Sequence, residues 1–435
     1  MVNGHLFHRR TALKAIGCTA VAMGGLIGTA NADGNESSTL IVDGGDEHYT
    51  TIQEAVDDAE PGDSIQVNGG TYEERVFIDK SVSISGDPGR NDTVGPGTDA
   101  PVIDGTNVGT EDPHPDVFRI LEADGRIVIE GCVITNFDAG ETEWNGIGGK
   151  NTGDVVVRDC HIRDVGTGID CMSPFDLVEG WDVRRNYVDN PYRSGINLQN
   201  VSESNVSNNT VIGKGDPVSD RGHGIAVHAD RLNELADGTV SKNVTIEHNR
   251  VLGYFGDGNP SLGTTVTDST VRNLSIRSNE IAAFADQTPS VGIVPAVHDV
   301  DGYHDGISIV RNRVSDAEGT PDGTGIKLGG NTEGEAYDNE IVNNRVGIWD
   351  GGSRVRIHYN TIQGNEEWGI NSGGGHVVEA TCNYWGHATG PVHPDNPRPN
   401  PKGDPVTWNV EFTPWSVREI RDGEGSCTGG RGGGN

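Results

Sequence analysis

The segment VRIHYNTI at 355–362 decides the fold, because VTIEHNRV at 244–251, LSIRSNEI at 274–281 and ISIVRNRV at 307–314 repeat its pattern. Each reads apolar-x-apolar-x-x-Asn-x-Val/Ile. The alternation is that of a strand with one buried face. Followed outward along the chain, the Asn position gives Cys132, Cys160, Asn186, Asn209, Asn249, Asn279, Asn312, Asn339, Asn360 and Asn383. The steps are 28, 26, 23, 40, 30, 33, 27, 21 and 23 residues, a short period with insertions. Such a repeat belongs to a solenoid, in which a unit buries its apolar face only by stacking on its neighbours. A further strand is marked by Gly-Ile at 146–147, 168–169, 195–196, 224–225, 292–293, 325–326, 347–348 and 369–370, and is degraded after Asn249. The expectation is an all-β stack of about ten or more coils, roughly 4.8 Å apart, with inward Val and Ile as core. The Asn column then forms an internal ladder of amides bonded to one another and to the turn backbone.

The two ends extend the pattern. In TIQEAVDDAEPGDSIQV (51–67), Ile52, Ala55, Val56 and Ala59 fall at helical spacing behind a Thr cap, which predicts a short helix closing the open end of the stack. That opening resembles pectin-lyase-like and NosD-type right-handed parallel β-helix proteins. NYWGHATGP (383–391) through FTPW (412–415) resembles the closing segment of secreted haloarchaeal and bacterial members. The resemblance covers about 45–415 and implies the fold. For function it implies a range, since this architecture hosts lyases, hydrolases, epimerases and non-catalytic surface proteins.

The first 32 residues differ from the rest, with RRTALK at 9–14, a Gly/Ala-rich apolar run to Ile27 and Ala30-Asn31-Ala32. They read as a twin-arginine export signal, which places the mature protein outside the cell or on its surface. Residues 33–44 are then expected as a flexible lead-in, 45–415 as the β-helix and 416–435 as a disordered Gly-rich tail. With 65 acidic against 32 basic residues, a net charge of −33 and only seven lysines, the chain would repel phosphate backbones, so nucleic acid is not an expected partner. Acid spread along the whole chain keeps a surface hydrated in strong brine, which reads as salt adaptation. Beyond the signal no segment is apolar enough to span a membrane, and a monomer is expected. Seven N-x-S/T sequons make glycans plausible.

Five cysteines remain after export. Cys132 and Cys160 share the inward ladder position, either as stacked thiols or as a disulfide, and Cys382 with Cys427 is another candidate pair. On the outward face of the Gly-Ile strands, Asp170, Asn197, His223 and His228 lie on three successive turns and would converge on a site about 10 Å long. A carboxylate and a His in one cleft suit acid/base work on a sugar, by hydrolysis or by proton abstraction beside a uronate carboxylate. The bland alternative is that these polar groups only solvate a sheet face. Asp170, His223 and His228 are the candidate catalytic groups, and Asn197, Arg193 and Arg221 the candidate substrate contacts. Trp349 and Trp368 are candidate stacking platforms for sugar rings. RGHGIAV (221–227) resembles the Gly-His-Gly segment of polygalacturonase-type hydrolases, but the acidic pair expected on the preceding turn is replaced by GINLQN (195–200). In HDVDGYHDG (298–306), Asp299, Asp301 and Asp305 form a candidate Ca²⁺ loop, with a solvated turn as the stronger alternative in a chain this acidic. Copper, which the NosD resemblance implies, fits poorly, since Met172 is the only thioether left after export. The leading expectation is a secreted protein that binds an acidic polysaccharide and cleaves or epimerises it. The alternative is a non-catalytic cell-surface or matrix β-helix.

Overall fold

The computed structural model describes residues 29–30, 36–43, 45, 48–86, 99–106, 116–136, 144–173, 177–214, 223–228, 240–254, 260–266, 270–282, 291–297, 303–317, 323–373, 375–421, 424–425 and 427–430. Among these, one helix and three long sheets dominate, with 13, 11 and 11 strands. Every neighbouring pair within the three sheets is parallel, and each coil contributes one strand to each sheet in turn. The chain is a right-handed parallel β-helix, the hand that twisted strands impose on parallel crossovers.

The core follows from the alternation. Ile65, Ile84, Ile129, Val157, Val183, Val206, Ile246, Ile276, Ile309, Ala336 and Ile357 form one in-register column through the first sheet, all fully buried. At the corner that follows, the side chains of Asn186, Asn209, Asn249, Asn279, Asn312, Asn339, Asn360 and Asn383 form the expected ladder. Each Oδ1 from Asn209 onward accepts from the backbone N–H and the side-chain amide of the Asn one coil earlier, at 2.8–3.0 Å. Cys132 and Cys160 occupy the same column as buried free thiols, so the alternative of a disulfide between them is not realised. Burial pushes the Cys160 thiol up to about 12.

The Gly of each Gly-Ile pair has a steric cause. A Cβ at Gly168 would sit 2.4 Å from the Gly195 carbonyl oxygen and 2.7 Å from Val188 Cγ1, and one at Gly195 would sit 2.2 Å from Val211 Cγ1. The corners at Gly168 and Gly195 therefore point into the stack, where a side chain would clash. The unit after Asn249 keeps its third strand at Pro260–Val266, with Leu262 and Gly263 in register with Ile225 and Ala226. The repeat is degraded there in sequence only.

The helix Ile52–Asp58 caps the first coil with Ile52, Ala55 and Val56 buried. Thr51 accepts from the Glu54 N–H at 3.2 Å, and Glu74 accepts from the N–H groups of Ile52 and Gln53 at 2.8 and 2.9 Å. Two expected boundaries need correction. Thr39–Val42 already pairs in register with Asp63–Val67, so the β-helix begins inside the expected lead-in. The tail is not structureless up to Gly430: Trp415–Ser416 pairs with Cys427–Gly429, Ser416 is fully buried, and a Cys382–Cys427 disulfide ties this segment to the last coil. The export signal lies almost wholly outside the described residues. Among those described, no helix is long and apolar enough to cross a membrane.

Candidate active site

The outward face of the third sheet carries two columns on either side of the Gly-Ile corner. The residues before the glycine are Asn145, Thr167, Ser194 and His223, and those after the isoleucine are Gly148, Asp170, Asn197 and Ala226, all in register. One coil earlier, Phe118 takes the Ile position opposite Ile147 and Arg119 stands opposite Gly148. Val117 therefore stands in the glycine place, and Asp116 falls in the column of Asn145.

These columns bring two carboxyl groups together. The Asp116 carboxyl lies over Gly148, so close that a Cβ there would fall 2.2 Å from its Oδ2. Asp170 sits on the next strand and accepts from Asn197 Nδ2 at 2.8 Å through Oδ1 and from Asn145 Nδ2 at 3.3 Å through Oδ2. Asn145 also bonds Asp116 through its side chain and its backbone, so one residue bridges both acids. Both are buried, Asp116 at 9% exposure and Asp170 at 6%. Burial, joined by the neighbouring charge of Asp170, pushes the Asp116 carboxyl up to about 7 against the opposing bonds from Asn145 and the charge of Arg119. Asp116 thus carries a proton near neutrality, beside a partner whose two oxygens both serve as acceptors. The Arg75 guanidinium lies 5.0 Å from the Trp144 ring centroid.

The predicted residues are placed as follows. Asp170 and Asn197 are in direct contact. His223 and His228 form their own pair, ring centroids 5.5 Å apart, with the His223 N–H donating to the carbonyl of Arg193 at 3.0 Å. His223 stands two strands beyond Thr167 on the Asp170 strand, about 10 Å along the stack. The histidines therefore flank the carboxyl pair. Trp349 and Trp368 lie at the far end of the same sheet, six and seven strands from Asp170. Arg221, Asp299 and Asp301 lie outside the described residues. Asp305 stands on the strand Tyr303–Val310 opposite Arg272, exposed, where the sequence suggested a metal loop. Asn200, one of the sequons beside this face, is fully buried and donates its amide to the Ser173 carbonyl, which leaves no room for a glycan.

Sequence reasoning missed Asp116 and Asn145. Asn145 directly precedes a Gly-Ile pair and was readable as an outward flank. Asp116 is hidden because its coil spells Val117-Phe118 where the others spell Gly-Ile, and only stepping one coil back from Asn145 in register finds it.

Residues 81–253 match a protein-family model described as "Periplasmic copper-binding protein (NosD)", a span that contains the whole carboxyl and histidine cluster. No curated protein sequence matches. Among solved structures, a polygalacturonase from Erwinia carotovora ssp. carotovora aligns at 12% identity over 90% of this chain and 98% of its own, with a TM-score of 0.44. The A-module of the mannuronan C-5 epimerase AlgE4 from Azotobacter vinelandii aligns at 14% identity over 83% and 92%, TM-score 0.40. An alginate lyase from Paenibacillus sp. str. FPU-7 aligns at 16% identity over 86% and 99%, TM-score 0.30. The donors that copper prefers are not assembled among the described residues. Met172 stands two strands from His228 with Gln199 between them, the free thiols are sealed in the core, and no cluster of three His, Cys, Asp or Glu is present.

Proposed function

We propose that this protein is an exported glycoside hydrolase of acidic polysaccharides, working in high salt, with Asp116 as general acid and Asp170 as general base. The observation that carries the reading is the buried, Asn145-bridged carboxyl pair, one member of which is pushed up to about 7. A carboxyl group that keeps its proton, beside a second that accepts hydrogen bonds through both oxygens, is what glycosidic cleavage needs. Asp116 gives its proton to the glycosidic oxygen as the bond to the anomeric carbon breaks. Asp170 takes a proton from the water whose oxygen forms the new bond. Asp170 then releases its proton to solvent, and solvent returns one to Asp116. Asn145 and Asn197 hold Asp170 in place, while Arg119 and Lys150 on adjacent positions of the face supply positive charge for a uronate in an otherwise acidic protein. His223, His228 and Arg193 extend the face as sugar contacts. Ca²⁺ at Asp299, Asp301 and Asp305 is a separate proposal, to be read from added Ca²⁺ in the same assay.

The test is incubation with a panel of uronate-containing and neutral polysaccharides in high salt, following reducing ends and unsaturated-product absorbance. Reducing ends without absorbance, lost in Asp116→Asn and Asp170→Asn, support the hydrolase. Absorbance would replace it with a lyase using the same pair. Silence across the panel would favour a non-catalytic surface protein, the reading that the uninterrupted amide ladder supports.

A further inference from the structure

The same sheet carries a second constellation toward its other end. Lys327, Trp349 and Asn371 stand side by side on three successive strands, Thr324–Leu328, Val346–Asp350 and Trp368–Ser372. The Trp349 indole spreads over two glycines. A Cβ at Gly351 would come within 2.5 Å of the ring, and one at Gly373 within 2.9 Å. The missing side chains leave room for a flat, half-buried aromatic lying along the sheet. The Lys327 ammonium is 5.6 Å from its centroid.

That placement is unusual for this chain. Arginines elsewhere often sit against carboxylates, as Arg158 does with Glu130 and Arg185 with Asp159. Lys327 has no carboxylate partner among the described residues, although acids outnumber bases two to one. Holding a cation over an aromatic stabilises it and leaves its N–H donors free to bond a ligand. The neighbouring Asn371 adds an amide that can both donate and accept. A ring face, an ammonium and an amide within three strands match the apolar face, carboxylate and hydroxyls of one uronic acid residue.

We propose that Lys327, Trp349 and Asn371 form a second, non-catalytic binding site for an anionic sugar unit. It lies six strands, about 29 Å, from Asp170 along the same face, so only a polymer reaches both. The choice of an anionic sugar rests on the reading of the carboxyl pair, but binding here needs no turnover there.

The experiment is calorimetric titration of the full chain with a 1,4-linked uronic acid trimer, too short to bridge the two sites, and with its neutral counterpart. Trp349→Ala should weaken binding of the uronate trimer at least tenfold, and Trp349→Phe, which keeps an aromatic face, should retain most of it. Lys327→Gln should weaken it severalfold and flatten its salt dependence. Circular dichroism melts of each variant identify any loss due to unfolding, and Lys327→Gln, a surface change, keeps the test open if Trp349→Ala does not fold. The proposal is overturned if the wild type does not bind, if Trp349→Ala and Lys327→Gln bind like the wild type, or if the neutral trimer binds as well as the charged one. Trp349-dependent binding without turnover on any polymer would sink the hydrolase reading and leave this site standing.

Discussion

The inner corner of the stack presents asparagine on eight successive coils, whereas the outward column after the isoleucine runs Arg119, Gly148, Asp170, Asn197, Ala226 and changes at every step. Both columns are equally regular in backbone register, so the difference lies in what the side chains must satisfy. At the inner corner, every coil presents the same buried N–H and carbonyl groups, and one residue type answers all of them. On the outward face the backbone is already paired within the sheet, so each position is free to vary. The carboxyl pair occupies one of these positions, and its cost is visible in the buried, protonated Asp116.

The largest effect should come from breaking the variable column. Asp170→Asn is expected to lower turnover by about 10²–10⁴-fold with no loss of melting temperature, measured by reducing-end kinetics beside thermal melts. Breaking the repeated column should do the opposite. Asn312→Ala strips the Asn279 N–H and amide of their acceptor and the Ile276 carbonyl of its donor, all within the buried ladder. At about 1–3 kcal/mol per orphaned group, a loss of roughly 3–9 kcal/mol follows. Urea titration should show a lower midpoint with an unchanged slope, and activity per folded molecule should be preserved.

A smaller effect separates the columns by pH. The folded state holds Asp116 protonated up to about 7, above its ordinary value of 3.8, so between those values the folded protein binds one proton more than the unfolded chain. This group's contribution to stability therefore falls as pH rises from about 4 to about 7 and is constant above that range. Asp116→Asn removes the slope, so the variant should gain on the wild type across that window by up to about 4 kcal/mol. Denaturation series at pH 4.5 and 8 measure the difference, and parallel curves for the two proteins would contradict it. The smallest effect belongs to a variable position outside any buried network. Asn371→Ala should change stability by no more than about 0.5 kcal/mol, while weakening uronate binding at the Trp349 site.

The same contrast explains what the sequence made legible. A residue answering a backbone demand recurs with the period, and so the Asn ladder, the Gly-Ile corners and the Thr51 cap could be read without coordinates. Cys132 and Cys160 were readable as members of the column, but their redox state was not, because spacing alone permits a bridge or two thiols. Function followed the column that does not recur. Asp170 and Asn197 were recognised because they flank intact Gly-Ile pairs. Asp116 was missed because Val117 and Phe118 replace the marker, and its place over Gly148 depends on the absent side chain there. Likewise, the β-strand pairing of Cys427–Gly429 rests on a contact with Trp415–Ser416 that no Gly-rich composition announces.

The central claim is that Asp116 delivers the proton, and the pH dependence of turnover on a cleaved polysaccharide addresses it most directly. The account predicts a falling limb centred near pH 7 that disappears in Asp116→Asn along with most of the rate. A wild-type profile flat through pH 7, or a falling limb that persists in Asp116→Asn, would contradict it.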